Sequence, residues 1–392
     1  MGFSVYSLTD NFHSEWGFFG HKRINRLAVF TLPEDMLPLF KKEIEFVTEH
    51  AVDPDKRRYA TKHEAVRHYI DIDQWGTYPY DNVPRKFNEA LMRFSQVMAI
   101  SPREDTVIVS WKVVDDSIFL DTKNSVLSQL TIDQYRDYFY DFVAPNYYEG
   151  PIFDATPLLE KLNSKRFISL YILDKFSEHG ILPYNLVAYQ NKLTYAFKTG
   201  NLKRALRLAT EMGHYIGDAH VPLHTTTNYN GQLTDQIGIH AFWESRIPEL
   251  FADETFDYFV GQAKEVEDIE TFYWDIVLSS HQLVDSVLLI EKRLSKTFPL
   301  DRQYCYEDRN FRNVSLPCPE YALAYAEEMD GMVEERFRAS ILAIGSAWYT
   351  AWARAGRPDL SGTEVAIEVE TTDSTKIEPT RQSSPHGRQH WD

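Results

Sequence analysis

Between Met212 and Arg246 the chain reads Met-Gly-His-Tyr-Ile-Gly-Asp-Ala-His-Val-Pro-Leu-His, crosses a polar loop, and ends Gly-Ile-His-Ala-Phe-Trp-Glu-Ser-Arg. No other stretch limits the fold so tightly. His214 and Asp218 lie four residues apart on a helix expected over Leu202–Ala219, so they share a face. Pro222 ends that helix, and His224 lies just past the break. After the loop 225–238, His240 and Glu244 repeat the four-residue spacing on the next helix. Imidazole and carboxylate are ligands that zinc accepts. A single His-x3-Asp carries little weight; two such pairs around a broken helix, with His224 between them, carry far more. His220 points away from the 214/218 face and is expected to be structural or to support a ligand.

His63-Glu64-Ala65-Val66-Arg67-His68 imitates the zinc-protease pattern HExxH. Its histidines are five apart, however, and on a helix they diverge by roughly 140°. His68, in His-Tyr-Ile-Asp, is the better ligand candidate. Asp71, three residues on, is placed to orient His68 or an attacking water.

The rest of the chain reads as helical scaffold. Helical spacing runs from Gly20 to His50 with a break at Pro33, and Asp53-Pro54-Asp55 is a turn. Further helices are expected over 62–72, 84–98, 121–150, 158–179 and 183–199, with Gly180 and Gly200 as stops. Helices follow over 262–298 and 319–355. Val107-Ile108-Val109 and Ile118-Phe119-Leu120 are either a small strand pair or buried helix turns. The expectation is an all-α protein, a single large helical domain over 16–360 with at most a small β insertion around 105–120. Residues 1–15 form a leader, and 361–392, rich in Ser, Thr, Pro and charge, form a disordered tail.

The 392 residues carry a net charge of −17. Such an acidic surface opposes broad adhesion to nucleic acid or anionic membrane, yet a small site in which metal ions reverse the local field escapes that limit. No apolar run is long enough to span a membrane, and residues 1–15 lack the basic and apolar regions of an export signal. Cys305 and Cys318 are either a disulfide or two buried thiols.

Taken together, Trp16-Gly17-Phe18-Phe19-Gly20-His21, Asp53, His68-Tyr69-Ile70-Asp71, His214-x3-Asp218-x5-His224 and His240-x3-Glu244 resemble the superfamily of zinc-dependent phospholipases C and single-strand-specific zinc nucleases. The match spans Trp16 to Glu244. Asp-Ala-His-Val-Pro-Leu-His is closer to the nuclease branch of fungi and plants, whereas Glu244, where those nucleases carry Asp, is closer to the phospholipase branch. The resemblance implies three zinc ions. Asp53, His68, His214 and Asp218 would hold the first, with Asp55 the alternative to Asp53 across Pro54. His224, His240 and Glu244 would hold the second. His21, Asp218 and the free amine and carbonyl of a mature N-terminal Trp16 would hold the third, with Asp218 bridging. Either residues 1–15 are absent from the mature protein, the favoured reading, or the third ion is compromised.

The resemblance further implies a secreted or periplasmic phosphodiesterase, with Asp71 and Asp218 as catalytic residues. Single-stranded DNA or RNA is the favoured substrate and phospholipid head groups the alternative, with no stable membrane insertion. A third reading is non-catalytic, with zinc as cement in a helical binding protein. Structural zinc sites are usually closed and cysteine-rich, which this donor set is not.

Overall fold

The structure is a computed structural model that describes residues 14–361 apart from 59–61, 104–105, 115–116, 123–124, 162–166 and 310–311. The expected leader and tail therefore lie outside the described residues, except that Ser14 and Glu15 open the first helix and Ser361 closes the last described segment. The described residues are mostly helical, with a β insertion. They form two compact units. One is built from the segments up to Asp73 and from Leu182 onward; the other is Gln74–Ile181.

The first unit is organised on a helix whose C-terminal part is surrounded by protein on every side. We label four of its helices α1 (Ser14–Ala28), α2 (Leu182–Lys198), α3 (Leu202–His220) and α4 (Met332–Arg354). All twelve residues from Ala209 to His220 of α3 are buried, the pattern of a helix that faces core all round. Its start is fixed by Asn201, whose side chain accepts a hydrogen bond from the Arg204 amide at 3.1 Å. Gly200, at φ +69°, breaks the chain between α2 and α3. Polar groups inside this core are paired across helices. Trp348 Nε1 on α4 donates to the Ala209 carbonyl at 2.8 Å, and Gln190 Nε2 on α2 donates to the Ala347 carbonyl at 3.0 Å.

Two glycines on α3 decide how closely α1 can cross it. A β-carbon at Gly217 would lie 2.7 Å from Ile24 Cδ1 and 3.0 Å from His21 Nδ1. One at Gly213 would collide with the side-chain oxygen of Asn25, whose Nδ2 donates to the Thr210 carbonyl at 2.9 Å. The two hydrogen-only positions thus let α1 lie against the ligand-bearing face of α3.

A two-stranded hairpin, Tyr304–Arg309 with Arg312–Pro317, also belongs to this unit. Cys305 and Cys318 are joined in a disulfide, which resolves the alternative left open by the sequence. Buried Arg246 anchors the hairpin, donating to the Pro317 carbonyl at 3.0 Å and pairing with Glu307.

The second unit departs from the expected helices. It holds a six-stranded antiparallel sheet made of β1 (Gln96–Ile100), β2 (Thr106–Val114), β3 (Ser117–Thr122), β4 (Ser125–Thr131), β5 (Ile152–Asp154) and β6 (Ser169–Leu173). The strand order is β4-β3-β2-β1-β6-β5. Both apolar runs whose state was left open are strands, with Val113 opposite Ile118. The insertion is therefore larger than 105–120. The helix expected over 84–98 stops at Phe94 and gives way to β1. The helix expected over 121–150 begins only at Ile132, where Thr131 and Gln134 form a reciprocal capping box. The helix expected over 158–179 is one turn, Leu158–Lys161, followed by β6. Alternating burial along Ser169–Leu173 is the period-2 signature of a strand. A run that short does not distinguish strand from helix until a partner is known.

Gly213→Ala forces the Asn25 side chain or the α1–α3 spacing to give way, and overpacking of this kind costs about 1–3 kcal/mol. A clearly lowered thermal midpoint is expected; an unchanged midpoint would show that the crossing is looser than described.

Candidate metal centre

Eight side chains from six parts of the first unit meet around the last two turns of α3. His21 comes from α1, Asp55 from the short helix Asp53–Arg57, His68 from the segment after Ala65, and His214 and Asp218 from α3 itself. His224 follows in the 3-10 turn Pro222–Thr225; His240 and Glu244 flank the junction of a helical turn with a π-helical turn, Phe242–Arg246. The structure thus brings together His21, His68, His214, Asp218, His224, His240 and Glu244, with Asp55, the alternative the sequence offered, in place of Asp53.

These donors fall into groups that share members. In the first, His68 Nδ1 is 3.1 Å from His214 Nε2 and 3.0 Å from Asp218 Oδ2, and His214 Nε2 is 3.3 Å from the same oxygen. Asp55 Oδ1 stands 3.7 Å from His68 Nδ1 and 3.6 Å from His214 Nε2. In the second, His224 Nε2, His240 Nε2 and Glu244 Oε2 are 3.2, 3.3 and 2.7 Å apart. A third links His21 Nε2 to Asp218 Oδ1 at 3.4 Å and to Glu244 Oε1 at 3.8 Å. Four ligands placed tetrahedrally at zinc–nitrogen distances of ~2.0–2.1 Å lie about 3.3–3.4 Å from one another. The separations in these groups bracket that spacing, and all donors are nitrogen or oxygen. These groups could hold metal ions.

The layer behind the donors fixes their orientation. His224 Nδ1 donates to the His68 carbonyl at 2.5 Å, while the Ile70 amide donates to the His224 carbonyl at 2.9 Å. His240 Nδ1 donates to the Tyr229 carbonyl at 3.0 Å. With the proton committed to Nδ1, each ring presents its Nε2 lone pair to the second group. Asn230 Oδ1 accepts from the amides of Gly238 and His240, so the loop 225–238 is itself a support. Asp73 ties that loop to the His68 segment by accepting from Thr226 Oγ1 at 2.7 Å and from the Thr227 amide and hydroxyl.

Burial sets the protonation of the donors. It depresses His21 to about 3, with His214 adding to the effect, and it depresses His214 to about 3. His68 is likewise held well below the ordinary imidazole value. These rings are neutral, as ligands must be. Asp218 is pushed well above the carboxylate range by burial and by the neighbouring charges of Asp55 and Glu244, and burial also raises Asp55. Burial works in the same direction on Glu244, but His224 and His240 outweigh it and hold that carboxyl well below its usual value.

Asp53 stands apart. Its carboxylate pairs with His50 Nδ1 at 2.6 Å and Lys56 Nζ at 3.0 Å, and these partners hold it below its ordinary value against burial. Asp55 is the aspartate in the cluster. Trp16 lies near the start of α1, five residues before His21. Asp71 is buried but belongs to none of the ligand groups among the described residues. His220 donates through Nδ1 to the Ile216 carbonyl of its own helix at 2.8 Å, a structural role. His63 joins no group among the described residues.

Several supporting residues were not anticipated. Arg58 places NH1 4.0 Å from Asp55 Oδ1, bringing a fixed positive charge to the edge of the first group. Behind that group, buried Glu64 accepts from Tyr215 and Arg67, and Glu211 accepts from Arg57 at 2.8 Å and Tyr189 at 2.9 Å. Among these, only the i,i+3 spacings of Asp55 with Arg58 and of Glu64 with Arg67 were visible as local signals.

No protein-family model matches the chain, and no curated protein matches it closely enough to count as a relative.

Because burial raises Asp218, the metal-free carboxyl keeps its proton to higher pH than a free aspartate, and a cation must displace it. Zinc affinity should fall as pH falls through that raised value. Titration calorimetry in buffers of different ionisation enthalpy should record net proton release; zinc uptake with none would contradict this arrangement.

Proposed function

We propose that the chain is a zinc-dependent phosphodiesterase that cleaves single-stranded nucleic acid. The observation that carries this reading is the sharing of donors: buried Asp218 and half-buried Glu244 each turn one oxygen to one group and the other oxygen to the next. Such sharing suits several cations held side by side, the arrangement that clamps both sides of a phosphoryl transfer. Structural zinc sites seldom look like this, since they are closed, single and rich in thiolate.

When bound, zinc supplies Lewis acidity toward the phosphoryl group and makes water a stronger acid. The chain's own residues do the rest. Asp55, Asp218 and Glu244 bring three negative charges against six from three dications, leaving a positive field for a phosphate in an otherwise acidic protein. Arg58 extends that field beside Asp55. His224 and His240, fixed by carbonyls of His68 and Tyr229, keep the second group in place without rearrangement. Asp71 is assigned to orient water and accept its proton, because it is a buried carboxylate of the His68 segment that the ligand groups leave unused.

Glu244 keeps the lipid reading in view, since a glutamate there resembles the phospholipase branch. No described helix is long and apolar enough to cross a membrane. The Cys305–Cys318 disulfide is compatible with an exported enzyme acting in an oxidising compartment.

Zinc-loaded protein should hydrolyse single-stranded DNA or RNA, lose that activity to chelator, and leave phosphatidylcholine vesicles intact. Cleavage of lipid alone would move the protein to the phospholipase branch, and silence in both arms would remove the enzymatic reading. Asp71→Asn should lower turnover about 10²–10⁴-fold, the usual weight of a general base, while metal content stays unchanged.

A further inference from the structure

The resemblance gives the third cation a free amine at Trp16. In this structure α1 starts at Ser14 and runs through Trp16, so the Trp16 nitrogen is a peptide amide. Its lone pair is delocalised into the carbonyl and is a poor donor. The side chains around His21 are nonetheless arranged as a site. Asp218 gives Oδ2 to His68 and His214 and turns Oδ1 to within 3.4 Å of His21 Nε2. Glu244 gives Oε2 to His224 and His240 and turns Oε1 to within 3.8 Å of the same nitrogen. His21 is 5% exposed, stacks on the His214 ring at 3.9 Å, and its Nδ1 is buried with no hydrogen-bond partner. A neutral imidazole edge facing two carboxylate oxygens is a donor set for a divalent cation.

We propose that Glu244 bridges two cations, completing with His21 and Asp218 a third site built wholly of side chains. The site then forms in a chain that keeps the residues before Trp16. This inference rests on the metal-centre reading above. The length of glutamate is what makes it work. From the π-helical turn the carboxylate reaches the His224–His240 pair with one oxygen and His21 with the other. An aspartate, one methylene shorter, can serve the pair alone.

The test is native mass spectrometry of the full chain after loading with Zn²⁺ and removal of the excess, counting ions per chain. The full chain should hold three ions, and a form trimmed to begin at Trp16 should also hold three. Glu244→Asp should retain two, and so should His21→Ala, which removes the third group's only imidazole; circular dichroism on each variant checks that the helices persist. Two ions in the full chain rising to three on trimming would overturn the proposal and leave the metal centre standing, as would three ions in Glu244→Asp. A full chain that takes up no zinc would overturn the metal centre and this inference together.

Discussion

Three carboxylates and five imidazoles crowded into the core of a helical unit create the electrostatic problem on which the rest of the structure turns. Asp55, Asp218 and Glu244 stand close enough that each raises the cost of ionising another, and burial strengthens the conflict. Protons relieve it partly, which is why Asp218 is pushed so far up. Dications relieve it more completely, because each can face two or three of the carboxylate oxygens that otherwise repel one another. The neutral rings of His21, His68 and His214 then act as donors at no cost in deprotonation.

Such a cluster works only if its walls do not move. Two features of the first unit supply that rigidity. Gly213 and Gly217 let α1 approach α3 closely enough for His21 to stack on His214. A second layer of buried polar contacts then pins what the helices alone would leave loose. Glu64 and Glu211 gather Tyr215, Tyr189, Arg57 and Arg67 behind the first group. Carbonyls of His68 and Tyr229 select the tautomers of His224 and His240. His68 and His224 lie outside the long helices and are held by bonds between their segments, the Ile70 amide to the His224 carbonyl and His224 Nδ1 to the His68 carbonyl.

The parts of this site that were legible in the sequence are those encoded locally. His214 with Asp218 and His240 with Glu244 declare themselves by four-residue spacing, and Pro222 marks the break that frees His224. The choice between Asp53 and Asp55 was not legible. Both lie in one short helix, where residues two apart point about 200° from each other, so one aspartate faces the cluster and the other faces His50 and Lys56. The Glu64–Tyr215 and Arg57–Glu211 contacts join residues more than 150 positions apart, and nothing in either local pattern announces the other. The sheet was missed for a related reason. Short apolar runs such as Ser169–Leu173 acquire strand character from their partners, here Gln96–Ile100, and a single chain read in order does not show who those partners are.

The central claim is that the clustered donors hold several cations rather than a network of shared protons. Anomalous scattering from zinc-soaked crystals, collected on either side of the zinc absorption edge, tests it most directly. The account predicts separate peaks, one among Asp55, His68, His214 and Asp218 and one among His224, His240 and Glu244, with a further peak beside His21. A map without peaks at these residues, from crystals shown by fluorescence to contain zinc, would contradict it.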